Sequence, residues 1–405
     1  MRIAVQLDQR VFPITGIVQH YAWGGRVFLP RLLGEVPGDK PWAEYWLGVH
    51  PACPATVHTS AGAQPLDRFI ADEPEFYLGH AVRERFGGLP FLLKVLDVAQ
   101  MLSIQVHPDA EQARAGFARE AAAGIPADAP QRNYKDAQHK PEIMMGLSEF
   151  WLLHGFRDEA SLGAMFAETP ELAELQSWFG GDYRRLYERV LRLPQAEVNR
   201  LLQPLVDRIL PEYRAGALSK FSPDFWAARA VETFCPQGDL DPGLFSIYLF
   251  NLLRLNAGDG IFQDAGVPHA YLEGQCVEVM ANSDNVLRAG LTPKHRDVPE
   301  LLRLVRFEPT EPRILRRSAG TCGDYAAPVK EFALEHCRLR SGDRHFVCAD
   351  TPSILLVLEG NGSAFEGSAK HVLRPGSAFF LASEGVLQLQ ADGDLSVCTA
   401  LVPGV

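Results

Sequence analysis

The sequence predicts a mainly β protein with an α-helical domain set into it or beside it. Two observations predict the strands. The 35 glycines and 29 prolines make up about 16% of the 405 residues, against an average of about 12%, and short apolar runs lie between the turns that these residues favour. A third observation predicts the helices, because the middle of the chain, from about 158 to 234, is rich in Ala, Leu, Glu and Arg.

Two neighbouring runs, 89–98 and 102–107, are predicted to be strands. Each is short, contains β-branched residues and ends at turn-forming residues. The second run alternates between polar and apolar positions, so Ser103, Gln105 and His107 should lie on one face of its strand. That face therefore carries side chains that could act on a ligand.

One helix of the middle region can be predicted in detail. Its apolar residues recur at i, i+3, i+4, i+7 and i+11, which places them on one face. Pro194 suits the first turn of this helix, whereas Pro204 should kink or split it. The apolar face consists of Val198, Leu201, Leu202, Leu205 and Ile209.

Segments 255–265 and 373–382 form a weak internal repeat, in which a glycine turn precedes a short strand. Two copies of one β-barrel unit would explain the repeat, and chance similarity between glycine turns is the alternative. Only the first copy continues into a histidine, His269, whereas the second continues into Glu384. If both are barrels, we expect the first to hold a site and the second to be a scaffold.

Charge and composition exclude several classes of function. The chain has 39 basic and 50 acidic residues and a formal net charge of −11, so it should repel nucleic acid and anionic membranes, and an anionic substrate would need a local basic pocket. No stretch approaches the ~18–20 apolar residues of a membrane span, and the first residues lack the pattern of an export signal. The seven scattered cysteines predict reduced thiols in a cytoplasmic protein.

Four polar residues are candidate ligands of a divalent metal ion. Gln105 and His107 stand at i and i+2 of the predicted strand, so both can reach the same ion. Glu142 offers a carboxylate oxygen, and His269 a second imidazole after a rigid turn. Two nitrogens and two oxygens without a thiolate suit Zn²⁺ with an open coordination position. The alternative is a core histidine beside a hydrogen-bonded glutamine.

A second candidate site lies in segment 277–297. Its residues 282–285 are small and polar, which predicts a loop. Arg288 follows the loop, and three further basic or titratable residues, 294–296, come soon after. In an acidic protein this reversal of charge favours binding of an anion, with a solvated basic turn as the alternative. The phosphate-binding loop, the nucleophile elbow of esterases and the His-Glu-x-x-His pair are all missing from the sequence.

Taken together, these segments resemble the type I phosphomannose isomerases, metal-dependent enzymes of the cupin superfamily. The matching segments occur in the order of the family and span about residues 20 to 300. Ala22 departs from the family's usual Tyr-Asp-Trp-Gly in the first of them. The segments are 21–24, 43–51, 102–109, 133–136, 139–142, 266–272 and 278–297.

The resemblance implies two cupin-type jelly-roll β-barrels and an inserted helical domain. The expected division places the N-terminal part of a catalytic barrel at 1–155 and the helical domain at 156–236. The remainder of the catalytic barrel would follow at 237–310, and a degenerate second barrel at 311–405.

The resemblance also implies an activity and a site. The expected reaction interconverts mannose 6-phosphate and fructose 6-phosphate through a cis-enediol, with one Zn²⁺ per chain. The implied zinc ligands are Gln105, His107, Glu142 and His269. The implied catalytic residues are Arg288, Lys140, Glu278 and His139, with the base left open among the last three. The implied substrate-binding residues are Ser103, Lys94, Asp284 and Lys294.

Two other classes of function remain possible at this point. One is a different metal-cupin activity, such as an isomerase of another phosphosugar or an iron oxygenase, although the latter prefers three ligands and Fe²⁺. The other is a non-catalytic sugar-binding cupin. For the isomerase we expect a small-molecule sugar phosphate as the partner, a monomer, and no binding of nucleic acid or membrane.

Overall fold

The computed structural model describes residues 9–404 and confirms a mainly β fold with a helical domain set into it. The strands, in chain order, are β1 (Val11–Thr15), β2 (Ile17–Gln19), β3 (Glu44–Gly48), β4 (Thr56–Thr59), β5 (Gly62–Pro65), β6 (Phe91–Val98), β7 (Ile104–Val106), β8 (Glu142–Gly146), β9 (Phe150–Phe156), β10 (Phe250–Leu255), β11 (Asp259–Gln263), β12 (His269–Ala281), β13 (Leu287–Gly290), β14 (Leu315–Arg316), β15 (Cys322–Tyr325), β16 (Ala333–Leu339), β17 (Arg344–Ala349), β18 (Ser353–Glu359), β19 (Gly362–Glu366), β20 (Ala369–Leu373), β21 (Ala378–Leu381), β22 (Gly385–Ala391) and β23 (Leu395–Leu401).

The helices range from 5 to 20 residues, and the longest lies in the middle of the chain. They are α1 (Phe28–Leu32), α2 (Leu66–Asp72), α3 (Pro74–Leu78), α4 (His80–Phe86), α5 (Ala110–Ala122), α6 (Glu159–Glu168), α7 (Ala173–Phe179), α8 (Tyr183–Leu191), α9 (Gln195–Arg214), α10 (Pro223–Phe234), α11 (Gly243–Leu249) and α12 (Val298–Leu304), with a 3₁₀ turn at Pro170–Leu172. Within residues 9–404, none of these helices has the length and apolarity needed to cross a lipid bilayer.

An 11-stranded antiparallel sheet forms the first barrel, and the 13-residue strand β12 connects its parts. The C-terminal half of β12 pairs with β6 and β8, whereas its N-terminal end pairs with β7 and β9. Strand β6 is buried along its whole length, as expected for a strand that is covered on both faces. The first residue of β12, His269, lies directly opposite Gln105 of β7.

The second barrel consists of two facing sheets from the C-terminal part of the chain. Strands β16, β23, β18 and β21 run side by side in one sheet, and β17, β22, β19 and β20 form the other. Apolar residues of both sheets pack between them, including Leu355, Val357, Leu387 and Leu389. This arrangement confirms the predicted second cupin-type barrel.

The N-terminal strand β1 does not stay with the first barrel. It pairs with β21 of the second barrel, and β4 and β5 extend the same sheet. Phe12 of β1 packs in one core with Phe380 of the second barrel and Val279 of the first, so the two barrels share a hydrophobic core. The residue bounds of the four domains stay a prediction.

The helices α6 to α10 lie between strands β9 and β10 of the first barrel, within the predicted range 156–236. The predicted apolar face of α9 is buried. Pro204 does not split this helix, which is continuous over 20 residues, so the predicted split is wrong, whereas the predicted kink stays a prediction. Pro204 lies on the exposed side of α9, where the carbonyl that loses its hydrogen bond can bind water instead.

One pair of cysteines departs from the prediction of reduced thiols. Cys322 and Cys337 form a disulfide between the neighbouring strands β15 and β16, whereas the sequence predicted reduced thiols throughout. The two residues lie directly opposite each other in the antiparallel pair, and strand pairing of this kind cannot be read from the spacing of cysteines in a sequence. The other five cysteines are free.

Candidate active site

The structure brings His107, Glu142 and His269 together in the first barrel. His107 Nε2 lies 3.5 Å from Glu142 Oε1, and His269 Nε2 lies 3.5 Å from Glu142 Oε2. All three side chains are buried, and their ligand atoms are close enough to hold one metal ion. Two imidazole nitrogens and a carboxylate form a donor set typical of zinc enzymes.

Backbone carbonyl groups orient both imidazoles of this cluster. His107 Nδ1 lies 2.9 Å from the carbonyl oxygen of Asn285, and His269 Nδ1 lies 3.0 Å from that of Val267. Each Nδ1 can therefore carry the proton, which leaves Nε2 with a lone pair directed at the cluster. His107 Nε2 is buried and has no hydrogen-bond partner within the described residues, which is the expected state of a nitrogen that ligates a metal.

The charges of the cluster also suit a cation. Burial lowers the pKa of His107 to about 4, so its ring is neutral at physiological pH, as metal ligation requires. Burial would raise the pKa of Glu142, but the positive charge of Lys140 and the two adjacent imidazoles outweigh burial and lower it. The carboxylate is therefore ionised.

The chain conformation around His107 follows from its neighbours in sequence. Strand β7 ends at Val106, Pro108 follows the histidine, and Asp109 caps the N-terminus of α5. The Asp109 side chain accepts hydrogen bonds from the amides of Glu111 and Gln112, a capping box that fixes where the strand turns into the helix. His107 is therefore held at the end of β7 by two adjoining elements.

Gln105 lies between the cluster and the candidate anion site. It is opposite His269 on one side and opposite Arg288 of β13 on the other. A cavity of about 570 Å³ opens in front of these residues. The cavity walls include ten of the residues predicted for the site, which are Lys94, Ser103, Gln105, Lys140, Glu142, His269, Glu278, Asp284, Arg288 and Lys294.

His139 is the predicted catalytic residue that the structure does not bring into this cavity. Its Nε2 lies 2.9 Å from Glu331 Oε1, and it is absent from the cavity walls. Because of that contact the imidazole has a carboxylate partner outside the site. His107 also does not line the cavity, because its side chain is fully buried.

Lys94 lies buried between two carboxylates. Its Nζ is 3.4 Å from Glu278 Oε2 and 3.7 Å from Glu44 Oε2. Burial would lower the pKa of Lys94, but the two carboxylates outweigh it and raise the pKa. For Glu278, burial and the charge of Glu142 raise the pKa, and the hydroxyl group of Tyr271 donates a 2.9 Å hydrogen bond to its Oε1.

Sequence reasoning missed Glu44, Trp46 and Tyr271 as members of the site. The indole of Trp46 donates a hydrogen bond to Glu44, and the Lys94 ammonium lies 5.0 Å from the Trp46 ring centre. One signal could have found the first two: Glu44 and Trp46 are at i and i+2 of a buried strand, the same spacing that identified Gln105 and His107.

The loop 282–285 forms as predicted, and Asp136 holds it in place. The Asp136 carboxylate accepts hydrogen bonds from the Ser283 hydroxyl and from the Asp284 amide. Asp284 Oδ1 lies 3.4 Å from His50 Nε2. That hydrogen bond lowers the pKa of Asp284 to about 2, although burial acts in the opposite direction. The loop therefore presents a carboxylate at the edge of the cavity.

Arg288 and Lys294 provide positive charge without a partner. Neither side chain has a carboxylate within 4.0 Å among residues 9–404, and both line the cavity. Burial lowers the pKa of Arg288, while burial and then the charge of Arg288 lower that of Lys294. Two unpaired cations in a protein of net charge −11 are suited to an anionic ligand.

Two cupin-type barrels, one with a buried histidine–carboxylate cluster at a cavity, define a cupin-fold protein with a candidate metal centre. The family described as "Phosphomannose isomerase type I, catalytic domain" matches residues 11–159, and its C-terminal counterpart matches residues 325–364. The mannose-6-phosphate isomerase of Escherichia coli K12 is 39% identical over 391 residues, covering 94% of this chain and 97% of that protein. The chain belongs to the type I phosphomannose isomerase family.

More distant relatives and solved structures support the same family assignment. The mannose-6-phosphate isomerase of Mus musculus is 34% identical over 416 residues, covering 93% of this chain and 95% of that protein. The crystal structure of the Salmonella typhimurium enzyme bound to fructose 6-phosphate and zinc has a TM-score of 0.86 and 34% identity. It covers 96% of this chain and 99% of that one. A zinc-bound mannose 6-phosphate isomerase structure has the same TM-score at 33% identity, with 96% and 99% coverage.

Proposed function

We propose that this protein interconverts mannose 6-phosphate and fructose 6-phosphate at one Zn²⁺ held by Gln105, His107, Glu142 and His269. The observation that carries the proposal is the approach of both Nε2 atoms to Glu142 at 3.5 Å, beside a cavity that also contains two unpaired cations. Relatives along nearly the whole chain bear the name of this isomerase. Support for zinc comes from the donor set and from the zinc-bound relatives.

The reaction is a proton transfer between neighbouring carbon atoms. For the open-chain aldose, a base removes the proton from C2 while O1 gains a proton, which gives a cis-enediol. Loss of the proton on O2 and return of a proton to C1 then give the ketose. Zn²⁺, when bound, supplies a Lewis acid that stabilises negative charge on the sugar oxygens.

Arg288 and Lys294 have separate roles in this proposal. Arg288 lies opposite Gln105, so its guanidinium is near the proposed metal ligands and can stabilise the negative charge that develops on the sugar oxygens. Lys294 lies on the loop after β13 at the cavity wall, where it binds the phosphate group. Binding of the phosphate at a fixed point would hold C1 and C2 at the cluster.

We assign the proton transfers to Glu278 and Lys140. The raised pKa of Glu278 brings this carboxyl group closer to the value that suits an acid and base at neutral pH. Lys140 Nζ lies 3.0 Å from Glu142 Oε1, beside the cluster. Lys94 is engaged by Glu44 and Glu278, so we assign it to holding Glu278 rather than to binding phosphate. His139 has no role in this scheme.

A coupled assay tests the proposal. Purified protein is given mannose 6-phosphate, formation of fructose 6-phosphate is followed enzymatically, and zinc content is measured on the same sample. We expect turnover in proportion to bound zinc. Binding of the sugar without turnover in zinc-loaded protein would instead indicate a non-catalytic cupin, and activity that follows iron would indicate a different metal chemistry. A monomeric state and a cytoplasmic location stay predictions.

A further inference from the structure

A second group of metal-ligating side chains lies in the second barrel, which the sequence predicted to be a scaffold. In the ladder of β15 and β16, Cys322 is opposite Cys337, and Asp324 is opposite Glu335. Alternate residues of a strand share a face. Both sulfur atoms and both carboxylates therefore lie on one side of this strand pair.

Strand β17 of the opposite sheet adds an imidazole to the sulfur atoms. His345 Nε2 lies 3.2 Å from Cys322 Sγ and 3.9 Å from Cys337 Sγ. In a tetrahedral zinc site with Zn–S of about 2.3 Å and Zn–N of about 2.0 Å, sulfur and nitrogen ligands are about 3.5 Å apart. The two observed distances lie on either side of that value. Cys322 and His345 are only partly buried and line a cavity at this point, so an ion can reach them.

The charges around these residues favour a cation. Asp324 and Glu335 are directly opposite each other, and like charges in this position destabilise a sheet. Within the described part of the chain neither carboxylate forms an ion pair with a basic side chain. Burial and the charge of Asp324 raise the pKa of Glu335. A bound cation would remove this repulsion.

We propose that Cys322, Cys337 and His345, once the cysteines are reduced, bind a thiophilic divalent cation such as Zn²⁺ as a second metal site. A dithiol reductant transfers two electrons and two protons to the disulfide and becomes a disulfide itself. The two thiols release their protons as the ion binds between them. Oxidation of the pair by a disulfide oxidant reverses these steps and expels the ion. The site goes beyond the isomerase reaction and uses none of its residues.

Cobalt distinguishes this site from the proposed catalytic centre. Thiolate-bound Co²⁺ has a strong near-ultraviolet charge-transfer absorption, and the catalytic ligands include no sulfur. Full-length protein in the disulfide form, carrying one equivalent of Zn²⁺ and no excess, is reduced, freed of reductant without oxygen, and titrated with Co²⁺. We expect one added equivalent with the sulfur absorption in reduced protein and none in the disulfide form.

Three variants complete the experiment, and circular dichroism checks that each one is folded. The Cys322→Ser/Cys337→Ser protein should lose the absorption. His345→Asn, which keeps both thiols, should bind Co²⁺ more weakly by ~10-fold or more. Cys348→Ser is the matched control and should keep the absorption, because Cys348 is an exposed cysteine of β17, the strand that carries His345. Reduced wild-type protein without the absorption, or an absorption that persists in the double variant, would overturn the proposal.

Discussion

His269 Nε2 lies 3.5 Å from Glu142 Oε2, although the whole helical domain separates these residues in sequence. The two residues come from different parts of one sheet: Glu142 begins β8 and is opposite Met280, near the end of β12, whereas His269 begins β12 and is opposite Gln105. On the other oxygen of Glu142, His107 occupies the matching position. A single carboxylate between two imidazoles that backbone carbonyls hold in place is the feature on which the proposed function depends.

Replacement of His269 by alanine should remove zinc and activity together. The variant loses one of two imidazole ligands, so its zinc affinity should fall by ~100-fold or more. Zinc content after dialysis and kcat measure the two effects. His80→Ala is the control, because His80 is exposed on α4 and should leave both unchanged. Full activity of His269→Ala after dialysis against a chelator would contradict the assignment.

Arg288→Ala should keep bound zinc and lose most of kcat. Removal of a preorganised cation from developing negative charge costs about 10²–10³-fold in kcat at comparable sites. Arg254→Ala is the control, because Arg254 is an exposed residue paired with Glu149. An unchanged kcat in the Arg288→Ala protein would exclude Arg288 from the chemistry.

Removal of the metal should lower the stability of the protein. An ion that binds only the folded state stabilises it by about 4 kcal/mol when its free concentration is 1,000 times its Kd. We expect chelator to lower the Tm of the wild-type protein, and readdition of zinc to restore it. The His269→Ala protein should show little of this shift. A Tm that is independent of chelator would show that no tightly bound ion is present.

The interaction of Asp284 with His50 should contribute to stability in a pH-dependent way. The hydrogen bond lowers the pKa of Asp284 to about 2, below the value of about 3.9 in unfolded chains. The contribution is therefore fully present above pH ~5 and is lost progressively as the pH falls toward 2.

Urea unfolding of wild-type and Asp284→Asn protein, both freed of metal, measures this contribution. The difference between their free energies of unfolding should shrink as the pH falls from about 5 toward 2. A difference that grows over this pH range would have the wrong sign for this interaction.

Local patterns in the sequence were enough to predict individual elements. Alternation over 102–107 placed Gln105 and His107 on one face, and the helical repeat from Val198 to Ile209 gave the buried face of α9. Ligand chemistry suggested Glu142 and His269 as partners of His107, and the structure brings these three residues together. The matching segments also occur in the order of the family, and this order supported the resemblance.

Pairing between distant strands could not be predicted in this way. No local pattern shows that β1 joins the sheet of the second barrel, that Glu44 lies beside Lys94, or that Cys322 faces Cys337. Each depends on which strands become neighbours, and that is decided by packing of the whole chain. His139 looked like a member of the site because of its position next to Lys140, but its side chain contacts Glu331.

The most direct test is a crystal structure of the protein purified without added metal, with anomalous diffraction measured on both sides of the zinc absorption edge. We predict a strong anomalous peak, present only above the edge, within coordination distance of Gln105, His107, Glu142 and His269. Should the density between these four side chains hold water alone in an active preparation, the proposed metal centre would be wrong.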